Sequence, residues 1–189
     1  MNEEIQEQLE QLRVGVVTRN ADVVEDVIGQ LEFFICDDVW PDELFDAMKR
    51  LLLDADFLAI PTSVGMVRLI QGNWDELSPA QRAELRPVLA GAFDKFGDWL
   101  GTFIVAEIFG DRYADAAGLV TLGQLSSSAA TRPSRALAAY GLGRLARSLG
   151  EGPVYTRAVE RLKVLADSAT PEIRKEAREA LEKLGNERR

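Results

Sequence analysis

The sequence predicts an all-α fold, built at least partly from repeated helix pairs. Three observations carry that expectation. Ala, Leu, Glu and Arg, all good helix formers, fill the long segments. Apolar residues recur three and four places apart, the spacing of one helix face, and β-type alternation is short and rare. Near the C-terminus, two segments match at a fixed offset.

The elements follow in order. Residues 3–14 are polar, with Ile5, Leu9 and Leu12 at helical spacing. A second helix is expected over 21–36, with Val23, Val24, Val27, Ile28, Leu31 and Phe34 apolar and Asp37-Asp38 ending it. Pro41 opens a third through about residue 56, presenting Leu44, Phe45, Met48, Leu51 and Leu52. Residues 58–77 read as a short strand and turn or as a helix broken around Pro61, and a short helix over 63–71 is favoured. Ser78-Pro79-Ala80-Gln81 combines a serine cap, a first-turn proline and a glutamine placed for a capping box. Residues 79–109 then form two helices or one kinked helix, interrupted among Gly91, Gly97 and Gly101, with Gly110-Asp111 as the next separator. Helices are expected over 112–128, 132–149, 154–167 and 171–185. Gly150-Glu151-Gly152-Pro153 serves as a turn, Thr170-Pro171 as a cap, and Gly185 as the final stop.

The repeat lies in this last part. RALAAYGLGRL from Arg135 and RKEAREALEKL from Arg174 align Ala138 with Ala177, Gly141 with Ala180, Leu142 with Leu181 and Leu145 with Leu184, each pair 39 residues apart. Pro133 and Pro171 lie 38 apart, and YTRAVERLKVLADSA supplies one helix between the two segments. A helix pair cannot cover its own apolar face, so such units stack. Small residues at 138, 141 and 177 would let neighbouring helices approach, and the leucines would fill the seam. DRYADAAGLVTLGQL, with Leu119 and Leu122, is a weaker upstream echo.

This Pro–Arg–Ala–Ala/Gly–Leu–Leu pattern resembles HEAT-type repeats, best over 132–185 and more loosely from 112. The resemblance implies a right-handed HEAT-like α-solenoid. In it Pro133, Arg135, Leu142 and Leu145, then Pro171, Arg174, Leu181 and Leu184, belong to the second helix of each pair, which commonly lines the concave face. The turn at Gly150-Glu151-Gly152 lacks the aspartate frequent there in the family. An irregular helical bundle is the alternative. The expected organisation is one all-helical domain over 1–189, with irregular helices over 1–110 and HEAT-like pairs over 111–189.

A chain of 189 residues that is 47% hydrophobic and 28% charged can bury a substantial core. Its charge is sorted along its length. Residues 1–60 hold 15 acidic and 4 basic side chains, residues 61–131 hold 8 and 5, and residues 132–189 hold 8 and 13. The net charge of −9 argues against general nucleic-acid binding. Cys36 is the only cysteine, so no internal disulfide forms, and its apolar neighbours mark a buried thiol. MNEEIQEQLEQL lacks the basic and apolar regions of an export signal, and no apolar run approaches the ~18 residues of a membrane span, so the cytoplasm is the expected location.

The absence of histidine excludes Ser–His–Asp, Cys–His and HExxH chemistry within the chain. Asp37, Asp38, Asp42 and Glu43 form the densest acidic cluster. They read as helix caps and dipole partners or as a protein-binding patch; the order DDVWPDE lacks the glycine and ligand alternation of a calcium loop. Trp40 beside them is either a core residue or an interface anchor. Phe93, Phe96, Trp99, Phe103 and Phe109 make a helical core stripe. A small-ligand pocket using Trp99, Phe103, Glu107 and Asp111 is the alternative, with the two carboxylates sharing a face only if the helix survives Gly110. Arg132, Arg135, Arg144 and Arg147, followed by Arg157 and Arg161, offer a basic ridge for an acidic protein or a phosphate backbone, or are solvated and paired.

The leading functional expectation is a non-enzymatic protein that binds another protein, with no cofactor and no metal. One concrete form is an inhibitor or immunity-type protein neutralising a basic nuclease or toxin through residues 37–43. The alternatives are a helical enzyme or small-ligand binder near residues 93–111 and a phosphate-backbone binder through the C-terminal arginines. The sequence leaves the oligomeric state open.

Overall fold

The computed structural model describes residues 3–35 and 40–186. Every regular element among them is helical, which removes the strand reading of residues 58–77. The chain packs as two compact units, Met1–Gly101 and Thr102–Arg189.

The first unit begins with α1 (Glu3–Thr18) and α2 (Ala21–Leu31), which pack together. Asn20 caps α2 by accepting a bond from the Val23 N–H at 3.3 Å. A 3₁₀ turn, Glu32–Phe34, ends the expected second helix early. The proposed stop at Asp37-Asp38, like Cys36, lies outside the described residues.

The single helix expected over 41–56 is two. α3 (Asp42–Leu51) follows Pro41, which stands at the cap position, and α4 (Ala55–Leu58) is a separate turn. The reason is local: the Asp54 carboxylate accepts from the Asp56 N–H at 2.9 Å, offering the backbone a cap in place of helix continuation. After a 3₁₀ turn at Pro61–Ser63 comes α5 (Val64–Gly72), close to the favoured 63–71.

The capping box forms as the sequence indicates. The Ser78 N–H donates to Gln81 Oε1 at 2.9 Å, and the Gln81 N–H to Ser78 Oγ at 3.2 Å, opening α6 (Pro79–Ala92). The break after α6 includes Gly97. Its N–H donates to the Leu58 carbonyl at 2.8 Å, and a β-carbon there would lie 2.4 Å from the Ala59 carbonyl oxygen. Val24, Leu31, Leu44, Met48, Phe57, Met66, Val67, Leu85 and Leu89 fill the core of this unit.

α7 (Trp99–Asp111) begins at the end of the first unit and continues into the second. It runs through Gly110, which was expected to separate elements; the break comes later, where Asp115 caps α8 (Ala116–Ser128) by accepting from the Gly118 N–H at 2.7 Å. α9 (Arg132–Leu149) has the expected bounds, and α10 (Pro153–Ala166) and α11 (Pro171–Asn186) differ by one residue at their ends. Thr131 caps α9 through the Ser134 N–H at 3.1 Å. Between α9 and α10, Gly150 and Gly152 take φ of 67° and 97°, which L side chains rarely adopt.

α9 is the spine of this unit. It packs on α8, α10 and α11, while α10 packs on α11 and more lightly on α8. Helix pairs are thus stacked in a helical-repeat-like way. Ala138, Leu142, Leu145, Ala177 and Leu184 are buried, whereas Leu181, expected in the seam, is half-buried. Glycine permits the closest approaches. A β-carbon on Gly141 would lie 2.8 Å from Leu122 Cδ2 and 3.0 Å from the Ala106 carbonyl oxygen; one on Gly143 would lie 2.6 Å from Ala180 Cβ; one on Gly110 would lie 2.6 Å from Arg144 Cβ.

Two helical glycines should therefore respond oppositely to alanine. Gly141→Ala is expected to destabilise the fold by about 1–3 kcal/mol through overpacking. Gly123→Ala, where nothing lies within 4 Å of the new methyl, should stabilise it by about 0.5–1 kcal/mol. Urea unfolding of both variants checks the pair; equal shifts would contradict the packing described.

Candidate functional site

Because α7 passes through Gly110, Glu107 and Asp111 share one face, and both turn to a single cation. Arg144 Nη1 donates to Glu107 Oε1 at 2.7 Å, Arg144 Nε donates to Asp111 Oδ1 at 2.9 Å, and Arg144 Nη2 closes a two-pronged pair on Asp111 Oδ2. The Tyr140 hydroxyl donates to Glu107 Oε1 at 3.0 Å and accepts from Arg144 Nη1 at 3.0 Å. Ser148 Oγ adds a longer bond to Asp111 at 3.4 Å, and Phe103 stacks on Tyr140 with ring centroids 5.2 Å apart. The Asp111 hydrogen bonds hold Arg144 still more firmly in its charged form, while burial pushes the Tyr140 hydroxyl upward. Side-chain exposures of 30% for Arg144, 17% for Glu107 and 32% for Asp111 make this a partly buried network. Such a network fastens helices.

Of the two readings of the arginines, ridge or paired, Arg144 takes the paired one: its guanidinium is bonded to Glu107 and Asp111 of α7. Of the residues expected around the alternative ligand pocket, Trp99 is 64% exposed, Phe103 stacks on Tyr140, and Glu107 and Asp111 are both engaged by Arg144. Tyr140 escaped the sequence reading, although its four-residue spacing from Arg144 was a usable signal.

Other arginines do similar work. Arg161 Nη2 on α10 donates to the Gly123 carbonyl and Ser126 Oγ of α8, each at 3.2 Å, and also to Ser127 Oγ. Arg174 Nη1 donates to the Ser168 carbonyl at 2.9 Å, and Arg178 Nε to the Ala166 carbonyl at 3.1 Å, at the C-terminal end of α10. Arg135 is half-buried and Arg147 is exposed. Tyr140, Arg144, Arg147, Glu176, Glu179 and Lys183 line a cleft of about 150 Å³ between α9 and α11. Burial, and then the neighbouring Glu179 charge, push the Glu176 carboxyl above its usual range.

In the first unit, Trp40 belongs to the core, not to an interface. It is 1% exposed; its Nε1 donates to the Asn73 carbonyl at 2.9 Å, and its own carbonyl accepts from Gln81 Nε2 at 3.3 Å. Asp42 and Glu43 occupy the first turn of α3, where carboxylates suit the helix dipole. Asp37 and Asp38 lie outside the described residues. Among the described residues no group of three or more metal-ligating side chains is assembled, and no helix is long and apolar enough to cross a membrane.

The accessible apolar feature of this unit was missed in the sequence. α1 and α3 border an open groove of about 390 Å³, lined by Leu9, Val16, Val17, Ala47 and Leu51, with Glu10, Arg13, Arg50 and Asp54 among its polar residues. Arg50 also borders a second groove of about 430 Å³ with Asp46, Lys49, Leu53 and Val88. Val17 is 72% and Leu53 57% exposed. Leu9 and Val17 lie beside the buried stripe of Ile5, Leu12 and Val16, so α1 is apolar over more of its circumference than its own packing uses.

Arg144→Ala should lower stability by about 2 kcal/mol, since Glu107 and Asp111 lose their counter-ion while half-buried; adding Glu107→Gln and Asp111→Asn should recover part of that loss. Chemical denaturation of the single and triple variants measures both effects. For Glu176 the folded state holds its proton more tightly than the unfolded chain does. Its contribution is therefore full below the unfolded value, near 4.3, and is lost as pH rises through the folded value. Glu176→Gln should raise Tm at pH 7, with the gain vanishing below about pH 4.

Comparison with protein-family models, curated proteins and solved structures gave no match to this chain.

Proposed function

We propose that this chain is a non-enzymatic protein-interaction module whose second unit is a HEAT-like stack of helix pairs. The repeat reading draws support from the 39-residue register of Arg135 with Arg174 and Leu145 with Leu184, and from the packing of α9 on α8, α10 and α11. On this reading the stack is right-handed, with α9 and α11 as the second helices of their pairs. Among interaction modules, an inhibitor or immunity-type role fits a chain with so acidic an N-terminal third.

The observation that carries the interaction reading is the groove between α1 and α3. It leaves Leu9, Val17 and Leu51 lining an open trough, and exposed Leu53 lines the neighbouring groove that shares Arg50, so apolar side chains there are accessible to a partner. The enzymatic alternative has less support, because the chain lacks histidine and Glu107 and Asp111 are committed to Arg144.

Site-specific photo-crosslinking tests the proposal. A photoreactive residue at position 17 or 53 should give a discrete protein adduct in native-cell extract. One at Val164, 63% exposed on α10, should not. Absence of any adduct at 17 and 53, or the same adducts from all three positions, would reject the groove as the contact surface.

A further inference from the structure

The second unit carries a recognition feature of its own, the cleft between α9 and α11. α11 contributes Glu176, Glu179 and Lys183 to its walls, and α9 contributes Arg144 and Arg147. We infer that this cleft binds a small zwitterion whose ammonium and carboxylate are several bonds apart, the chemistry of a dipeptide. The ammonium sits on Glu176 and the carboxylate at Lys183 and Arg147. Glu176 is the incomplete member of the cleft. It is half-buried, yet among the described residues it makes no hydrogen bond and no ion pair. Burial, and then the Glu179 charge, make its ionised form costly. A cation that donates hydrogen bonds to this carboxylate supplies what α9 and α11 do not.

The balance and the separation of charge select a ligand of both signs. Arg144 is already bonded to Glu107 and Asp111. The remaining charges of the lining are Glu176 and Glu179 against Arg147 and Lys183, so neither a simple cation nor a simple anion is favoured. Glu176 and Lys183 stand seven residues apart on α11, about 10 Å of helix rise. The charges that act on Glu176 belong to Glu179, Lys175 and Lys183, and Arg147 is not among them, so Arg147 stands away from the acidic end. Arg147 is exposed, and a guanidinium carries several donors in a fork that suits a carboxylate. An extended dipeptide spans about 7 Å, so its two charged ends reach both ends of the cleft. A free α-amino acid holds both charges on one carbon and does not. The cleft holds about 150 Å³, the liquid share of roughly five waters, which limits the ligand to this size.

Glycylglycine is the probe, titrated into the full chain by isothermal calorimetry. Acetyl-glycylglycine and glycylglycine amide, each lacking one of its charges, are the controls. Glycylglycine should bind, and each blocked peptide should bind about tenfold more weakly. Glu176→Gln keeps the size of the side chain and removes its charge. It should weaken glycylglycine about tenfold and abolish the difference between the free and acetylated peptides. Lys183→Gln should shrink the difference between glycylglycine and its amide. Thermal unfolding of both variants shows that the fold is kept. Failure of glycylglycine to bind the parent chain, equal binding of the three peptides, or unchanged affinity in Glu176→Gln would overturn the inference. Because the groove of the first unit takes no part, none of these results touches the interaction reading above.

Discussion

Close backbone approach along α9 is the constraint on which the second unit depends. Gly141 faces the Ala106 carbonyl, Gly143 faces Ala180, and Gly110 receives the Arg144 β-carbon. At these distances the side-chain network follows from geometry. Arg144 reaches two carboxylates one turn apart on α7, and Tyr140, one turn away on α9, completes the bonds. Larger residues along α9 would push the helices apart, and the guanidinium would lose its two-pronged grip. Packing comes first here, and electrostatics fixes the register of helices already brought together.

The arginine-rich C-terminal part has a different meaning in three dimensions from its meaning as a string. Arg144, Arg161, Arg174 and Arg178 each reach across to another helix or its end. A guanidinium is suited to this because it is long, planar and several-fold a donor. These four guanidinium groups are therefore bonded to carboxylates, hydroxyls and carbonyls of the same unit.

The first unit divides its side chains differently. Its large apolar residues, Trp40 included, are mostly buried in the core because apolar surface leaves water, while local caps, Ser78 with Gln81 being the clearest, fix where the helices start. On α1 the apolar residues extend past the buried stripe to Leu9 and Val17, and Leu53 also stays exposed.

By itself, the sequence determined what depends on residues close in the chain: the all-helical class, the bounds of α9, the serine–glutamine box before α6, the glycine turn after α9, and the spacing that stacks the last helix pairs. These signals are local because capping, turn chemistry and helical periodicity act within a few residues. The tertiary structure decided the rest. It ran α7 through Gly110, because that glycine admits Arg144; it buried Trp40, because Asn73 and Gln81 come within hydrogen-bond reach; and it left Leu9 and Val17 beside a groove, because α3 covers only part of α1. Each outcome is a contact between residues more than thirty positions apart, and no local pattern encodes which distant neighbour arrives.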